Sequence, residues 1–229
     1  MPPLKIIGLL GDVHGNAPGL ARAMAWFETC AVDAVMCVGD IVDGPADGTG
    51  DVAGCIDILR SSGVRCVAGN HERMFFEDYD DVIPGETRRG DLGADEIEFL
   101  AALPRIRSFE TVAGPALLCH GLGWDDFAFV DPDTRIDEVA AEEGLRWTLA
   151  RGFTFCLCGH THRRMVRCFD RVTVINAGAV GSDRSPECFA LVDFARGEVR
   201  YQFVDPRQPA ERVRLRDVPI EPFFFAATN

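Results

Sequence analysis

The stretch KIIGLLGDVHGN, residues 5–16, changes abruptly from apolar to polar. Residues 6–10 form a short continuous apolar run, which is typical of a strand buried on both faces of a sheet. Gly11 and Asp12 end this run, and a polar loop follows. Apolar residues then recur at helical spacing from Pro18 to Cys30. The sequence therefore predicts a strand, a loop and a helix in that order.

The same unit then repeats along the chain. Residues 34–38 indicate a second buried strand, which Gly39 and Asp40 end, and residues 52–61 have the apolar spacing of a helix. A third strand is predicted over residues 64–67, before Gly69 and Asn70. Alternating strands and helices favour parallel pairing, and in such sheets ligands bind at the carboxyl ends of the strands. We therefore expect the polar residues that follow these strands to converge on one edge.

The second half of the sequence is richer in strands. We predict a short helix over residues 94–103, a strand over 116–119 and one long helix over 133–151. A further strand is predicted over residues 153–158. The strands predicted after it, over residues 165–168, 172–175, 188–192 and 199–203, have short connections that favour antiparallel pairing. We expect one domain over residues 1–229, with a core over 4–204. A proline-containing tail over 205–229 is expected to wrap the surface, with Phe223 to Phe225 covering an apolar patch or a neighbouring subunit.

Composition excludes several classes of partner. A formal net charge of −13 disfavours binding to a nucleic-acid polymer, which depends on clustered Lys and Arg. No apolar stretch reaches membrane-spanning length. The nine cysteines are an odd number, lie mostly in apolar runs and form no C-x-x-C pairs. This pattern is typical of reduced thiols rather than a disulfide framework, so we expect a cytoplasmic protein without membrane contacts.

The five histidines carry the strongest chemical signal. They stand at positions 14, 71, 120, 160 and 162, each just after a strand-like run and beside a glycine, carboxylate or amide. Any one of them alone is most simply a hydrogen-bonded structural histidine, so the argument rests on the whole set. Asp12 adds a carboxylate two residues before His14, Asp40 can bridge two cations, and Asn70 offers a neutral amide oxygen. Together these residues predict a metal site.

The motifs D-x-H-G-N, G-D-x-x-D, G-N-H-E, H-G and G-H-T-H occur in this order. The set resembles the calcineurin-like metallophosphoesterase superfamily over roughly residues 4–193. Residues 12–16, the Gly-rich loop after Asp40 and residues 174–181 are similar to the small bacterial phosphodiesterase branch. The resemblance implies an α/β (mixed α+β) fold in which two mixed β-sheets pack face to face, with helices on both outer faces.

The resemblance also implies a set of site residues. One metal would be held by Asp12, His14 and His162, and the other by Asn70, His120 and His160, with Asp40 as the bridge. His71 would act as general acid and Asp43 would orient it. The cofactors implied are two divalent ions, with Mn²⁺ expected first and Fe, Zn or Ni also suited to these ligands. The implied reaction is hydrolysis of a small phosphodiester or phosphomonoester by a hydroxide that bridges the ions.

Several positions bear on the substrate. Gly44 stands where protein phosphatases of this superfamily carry an arginine that grips the phosphate, which disfavours that activity. Arg184 is compatible with a contact to substrate phosphate or with a surface salt bridge. Trp124 is compatible with stacking on a nucleobase, but filling the core is the preferred interpretation. The loops over residues 77–93 and 121–133 are expected to shape the pocket.

Two alternative functions remain open at the level of sequence. A nucleotide pyrophosphatase or dinucleoside polyphosphate hydrolase would carry the same motifs. A non-enzymatic binding scaffold is the rival from another class, since a eukaryotic retromer subunit resembles this fold yet lacks parts of the ligand set. The complete set in this chain favours an enzyme. Its expected partner is a small phosphate ester, and assembly into a homo-oligomer is compatible with the sequence.

Overall fold

The computed structural model describes residues 2–45, 48–77, 85–182 and 185–222. Within these ranges it contains twelve strands and six α-helices. The strands are β1 Ile6–Leu10, β2 Ala34–Cys37, β3 Arg65–Cys66, β4 Ile106–Thr111, β5 Gly114–Cys119, β6 Phe155–Cys158, β7 Met165–Phe169, β8 Val172–Asn176, β9 Cys188–Asp193, β10 Glu198–Phe203, β11 Glu211–Arg214 and β12 Ile220–Glu221. The helices are α1 Ala17–Glu28, α2 Val52–Ser61, α3 Asn70–Glu77, α4 Ala94–Ala101, α5 Ile136–Val139 and α6 Glu143–Ala150.

The strands form two mixed sheets of six strands each. The first has the order β11-β10-β9-β1-β2-β3 and the second β12-β7-β8-β6-β5-β4. Strands β1, β2 and β3 are parallel, as are β5, β6 and β8, whereas the hairpins β7–β8 and β9–β10 are antiparallel. The predicted parallel pairing at the amino-terminal end is thus confirmed. The parallel strands of each sheet present their carboxyl ends on the side where the polar loops begin.

The two sheets pack face to face because their strands alternate between two apolar faces. Leu9 of β1 shares a buried cluster with Leu118 of β5 and Leu157 of β6, so this cluster lies between the sheets. Leu10, the next residue of β1, packs with Leu20 of α1 on the outer face of the first sheet. Helices α5 and α6 cover the outer face of the second sheet. The predicted two-sheet sandwich with helices on both outer faces is confirmed.

The single long helix predicted over residues 133–151 is wrong. The segment forms two helices, α5 and α6, separated by a turn at residues 140–142. The guanidinium of Arg146 donates two hydrogen bonds to the carbonyl oxygen of Ala140, which satisfies that carbonyl outside a continuous helix. Val139 of α5 and Leu145 of α6 nevertheless enter the same buried cluster. Their shared burial explains why the apolar spacing looked continuous.

Other elements were not predicted. Helix α3 carries only Met74, Phe75 and Phe76 as apolar residues, too few for a periodic signal. The tail does more than wrap the surface, because β11 pairs with β10 at the edge of one sheet and β12 pairs with β7 at the edge of the other. Phe223 to Phe225 lie outside the described residues. Among the described segments, no helix has the length and apolar character needed to cross a membrane.

Candidate metal centre

The polar loops at the carboxyl ends of the strands have an unusual backbone. Outside glycine, seven described residues have positive φ angles between 39° and 69°, and six of them belong to the predicted site. These six are Asp12, His14, Asp40, Asp43, His160 and His162. A left-handed backbone costs an L-residue roughly 1–2 kcal/mol, and such strain concentrates at functional sites. The surrounding structure therefore holds these side chains in place against their local preference.

The first group of potential ligand atoms comes from three loops. Asp12, His14, Asp40 and His162 each offer one atom within 4.8 Å of those of the other three. The Nε2 atoms of His14 and His162 lie 3.1 Å apart, and Nε2 of His162 lies 3.5 Å from Oδ1 of Asp12. These are the residues that the family resemblance assigned to one metal, together with the expected bridge.

The second group shares Asp40 with the first. Ligand atoms of Asp40, His120 and His160 lie within 4.8 Å of one another. Oδ1 of Asn70 lies 2.9 Å from Nε2 of His120 and 2.9 Å from Nδ1 of His160. All seven predicted ligands thus gather at one edge, in two groups joined by one carboxylate. Their individual roles as ligands remain predictions.

The chemistry of this donor set fits divalent cations. Asp12 is fully buried, yet its Oδ2 atom has no hydrogen-bond partner among the described residues. A buried carboxylate oxygen without a partner is costly unless it binds a cation. The Nδ1 atoms of His14 and His120 lie 3.2 Å and 2.9 Å from the carbonyl oxygens of Val42 and Val38. In a neutral imidazole, an N–H at Nδ1 donates to that carbonyl and leaves Nε2 as an acceptor facing the site, a common arrangement around metals.

The charges of the site act on one another strongly because the site is buried. Burial raises the pKa of Asp12 to about 7, with His120 lowering it and Asp40 raising it. Burial also opposes ionisation of Asp40, but His120, His71 and His14 together hold the pKa of Asp40 well below its usual range. Burial lowers the pKa of His120, but Asp40 and Asp12 outweigh it and raise that pKa to about 10. Asp40 is thus the carboxylate held in its charged form, and a cation bound at this edge would favour ionisation of Asp12 as well.

The pKa values of His160 and His14 are shifted downward, in contrast to that of His120. Burial and the neighbouring His120 lower the pKa of His160 to about 4. Burial likewise lowers the pKa of His14, although Asp40 opposes this effect. A neutral imidazole is the form that binds a metal. A lowered pKa favours this neutral form in both residues.

The predicted general acid lies beside the shared carboxylate. Nδ1 of His71 lies 2.5 Å from Oδ2 of Asp43, and Nε2 of His71 lies 3.9 Å from Oδ2 of Asp40. The other oxygen of Asp43 accepts a hydrogen bond from the backbone N–H of Thr87, which fixes the carboxylate. Burial lowers the pKa of His71, but the hydrogen bond to Asp43 and the charge of Asp40 outweigh it and raise that pKa to about 9. The pair can hold a proton at the edge of the donor cluster.

Glu72 is a residue whose role the sequence analysis missed. Its carboxylate is buried and accepts four backbone hydrogen bonds, with lengths between 2.7 and 3.0 Å, from the N–H groups of Asp40, Ile41, Val42 and Gly69. Burial and the nearby Asp40 raise the pKa of Glu72, and three of these N–H groups, those of Gly69, Val42 and Ile41, oppose the shift. Glu72 therefore ties the loop after β2 to the start of α3. The signal was present in the G-N-H-E motif, but only the fold shows its contacts.

Position 69 requires glycine because the carboxylate of Asp40 lies close to its backbone. A Cβ atom at position 69 would lie only 2.1 Å from Oδ1 of Asp40. Asn176, at the end of β8, supports the other side of the site: its Nδ2 atom donates to the carbonyl of Gly159 and to the hydroxyl of Thr161. The last residue of β8 thus positions the turn that carries His160.

Two substrate-related interpretations have different outcomes. Trp124 is 47% exposed, so the interpretation that it fills the core is wrong. It lies in the loop after His120, which also carries Phe127 and Phe129, whose rings lie 5.8 Å and 6.1 Å from the ring of His160 between centroids. That loop does border the site, as expected. Arg184 lies outside the described residues.

Solved structures similar to this chain share its fold. A metallophosphoesterase from Sphaerobacter thermophilus is 21% identical with a TM-score of 0.68, and the match covers 89% of each chain. A phosphodiesterase from an archaeon is 18% identical with a TM-score of 0.54, over 86% of this chain and 99% of the other. Vps29 from Entamoeba histolytica, solved with Zn²⁺, is 15% identical with a TM-score of 0.55, over 92% and 99%. At these identities the likeness concerns the fold alone.

Sequence comparison identifies the family directly. No curated protein matches the chain in sequence. The family profile described as the calcineurin-like phosphoesterase superfamily domain matches residues 6–197. That range includes both groups of donors and both sheets except for the strands β10, β11 and β12. With its His and Asp cluster for divalent metals, this chain belongs to the calcineurin-like phosphoesterase superfamily, a family of hydrolases.

Proposed function

We propose that this protein is a binuclear metallophosphoesterase that hydrolyses a small phosphodiester or phosphomonoester. The observation that carries the proposal is the sharing of Asp40 by two groups of potential ligands. A carboxylate that belongs to both groups can bridge two neighbouring cations. Two ions held in this way are a recurring solution for hydrolysis of phosphate esters.

The residues have distinct tasks in this proposal. Asp12, His14 and His162 would hold one ion, Asn70, His120 and His160 would hold the other, and Asp40 would contact both. When bound, the two ions supply positive charge for the phosphate oxygens and activate a water for attack. His71 donates a proton from Nε2 to the leaving oxygen, and Asp43 holds the opposite ring nitrogen. The short distance between Nδ1 of His71 and Oδ2 of Asp43 supports this division.

We propose Mn²⁺ as the metal, with Fe, Zn and Ni as the alternatives. Mixed imidazole, carboxylate and amide ligands suit all four, so metal analysis after purification from cells must decide. Vps29 shares this fold as well, so the fold alone does not separate an enzyme from a binding scaffold. Retention of His71 and Asp43 beside the complete donor set supports an enzyme. We propose a small phosphate ester as its partner.

Turnover of a substrate panel tests the proposal. The protein, freed of metal and then supplied with Mn²⁺, is assayed on bis(p-nitrophenyl) phosphate, on phosphomonoesters and on dinucleotides. We expect Mn²⁺-dependent hydrolysis that Asp12→Asn removes and that Asp57→Asn, a matched change on the exposed face of α2, leaves unchanged. Cleavage of dinucleoside polyphosphates alone would support the pyrophosphatase alternative. Absence of hydrolysis with every metal and ester would leave the scaffold alternative.

A further inference from the structure

The loop that follows His120 exposes a group of aromatic side chains. Among the described residues, six large hydrophobic side chains are exposed, and three of them lie in this loop. They are Trp124, Phe127 and Phe129, which are 47%, 45% and 47% exposed. Burying an exposed phenylalanine side chain is favourable, because it removes apolar surface from water. Clustered exposure of this kind indicates a surface that binds something apolar.

Polar contacts fix the shape of this loop. The carboxylate of Asp126 is buried and accepts hydrogen bonds from Nε and Nη2 of Arg73, and a third from Arg105. Oδ1 of Asp125 accepts hydrogen bonds from the backbone N–H groups of Phe127 and Ala128. These hydrogen bonds hold the backbone that carries the two phenyl rings. The rings are therefore exposed on a loop of fixed conformation.

The two rings also lie at the rim of the candidate metal centre. The ring of Phe127 lies edge-on to that of His160, with 5.8 Å between centroids and an interplanar angle of 87°. The ring of Phe129 lies 6.1 Å from that of His160. The guanidinium of Arg73 lies over Phe127, 5.0 Å from the ring centroid. A group that covered these rings would be adjacent to any phosphate bound at the metals.

We propose that Phe127 and Phe129 form a platform that binds an aromatic ester group of the substrate, such as a nucleobase or a phenyl ring. The proposal rests on the proposed function, because the phosphate of the same molecule would sit at the metal centre. Flat apolar groups stack on phenyl rings, whereas a short alkyl ester would leave the rings in water. The continuity of the rings with His160 favours a substrate group over a separate protein partner.

Phosphonates test the platform without turnover. Phenylphosphonate and methylphosphonate present similar oxyanions, have no ester bond and differ in the aromatic ring. Binding of each to the Mn²⁺-loaded protein is measured by calorimetry. We expect wild-type protein to bind phenylphosphonate about tenfold more tightly, as one aromatic contact contributes. The double variant Phe127→Ala, Phe129→Ala should bring the two affinities close together.

Two control variants separate the ring from the fold. Phe127→Tyr with Phe129→Tyr keeps both rings and should keep the preference. Val112→Ala removes an equally exposed apolar side chain at the far end of β5 and should change neither affinity. The proposal is overturned by equal binding of the two phosphonates, by absence of binding of both, or by a preference that survives in the double alanine variant.

The platform and the proposed function fail in different ways. A protein that hydrolyses bis(p-nitrophenyl) phosphate but binds both phosphonates equally is an enzyme without this platform. A protein that prefers phenylphosphonate through Phe127 and Phe129 but hydrolyses no ester retains the platform and contradicts the enzyme. The two experiments together therefore assign each failure to one of the proposals.

Discussion

The two ends of the sandwich both contain left-handed backbone, but they differ in how often residues other than glycine adopt it. At the end with the donor cluster, six aspartates and histidines carry positive φ angles in addition to several glycines. At the opposite end, the β4–β5 turn uses Gly114 and the β9–β10 turn uses Gly197, with φ angles of 124° and 64°. Asp170, in the β7–β8 turn, is the exception there. Glycine adopts this conformation without steric cost, so the chain accepts strain mainly where a particular side chain must point into the site.

Charges differ between the two ends in the same way. At the donor cluster, Asp12, Asp40 and His120 are almost fully buried and lie close together. At the opposite end, the ion pair between Glu198 and Arg212 is 3.6 Å long and its arginine side chain is 62% exposed. Exposed pairs of this kind contribute about 0–1 kcal/mol to stability. The buried charges of the donor cluster act on one another much more strongly, because little water screens them.

Replacing Asp40, the carboxylate that both groups of donors share, should have the largest effect, because it removes a buried charge that distinguishes the donor end of the sandwich. Asp40→Asn keeps an oxygen that can accept the hydrogen bond from the backbone N–H of His71, but it removes the negative charge that both groups of donors share. We expect both ions to be lost together and metal-dependent turnover to disappear. Metal content per chain and hydrolysis of bis(p-nitrophenyl) phosphate are the measurements. Asp57→Asn is the control, and retention of two ions by Asp40→Asn would show that Asp40 is no bridge.

Removing the proposed proton donor should act on the reaction alone. His71→Ala is expected to lower turnover by about 10² to 10⁴, the usual contribution of a positioned general acid. Metal content should stay at the wild-type level, because His71 is outside the seven-residue donor set. Esters with a good leaving group, such as p-nitrophenolate, should suffer less than alkyl esters. If the variant loses metal instead, His71 belongs to the ligands and the assignment of its role is wrong.

Disrupting the carboxylate beneath Asp40 should have a smaller effect. In Glu72→Gln, an amide NH₂ replaces one of the oxygens that accept backbone N–H groups, so at least one donor faces another donor. The loop that carries Asp40 should shift, and we expect metal affinity to fall about 10- to 100-fold, as when ligand-supporting residues are changed. Titration with Mn²⁺ measures this affinity.

Excess Mn²⁺ separates positioning from misfolding. If Glu72 only positions Asp40, saturating Mn²⁺ should restore most of the turnover of Glu72→Gln, and the affinity loss should be absent in Glu98→Gln, an exposed change on α4. Unchanged affinity for Mn²⁺ would mean that the four hydrogen bonds to Glu72 stabilise the fold without shaping the site.

The sequence predicted the strands and helices around the donor cluster because these elements follow from local patterns of apolar residues. Buried strands ended by Gly-Asp or Gly-His are visible in the apolar periodicity, and helix α2 lies at the predicted residues 52–61. Parallel pairing then brings the strand ends together, so Asp12, Asp40 and Asn70 were expected at one edge. The candidate ligands could be named from the sequence because they lie in motifs whose order resembles that of the superfamily.

Features that depend on contacts between distant segments were not readable. The clamp of Glu72 on the loop after β2 and the anchoring of Asp126 by Arg73 join segments about 30 and 53 residues apart. Neither produces a periodic signal. The break between α5 and α6 was hidden because both helices bury residues in one cluster. The tail strands β11 and β12 are short and pair at sheet edges, where alternation is weak.

The smallest predicted effect concerns the end of the sandwich opposite the donor cluster. A Cβ atom at Gly197 would meet only Cβ of Leu215 at 4.0 Å, so Gly197→Ala tests the cost of the backbone conformation with little steric clash. We expect the free energy of unfolding to fall by about 1 kcal/mol, measured by urea denaturation, with metal affinity and turnover unchanged. Asp170→Gly, which relieves the one non-glycine residue with positive φ at that end, should be neutral or slightly stabilising. Loss of metal binding in Gly197→Ala would mean that the two ends are coupled and that strain at the site depends on the distant turns.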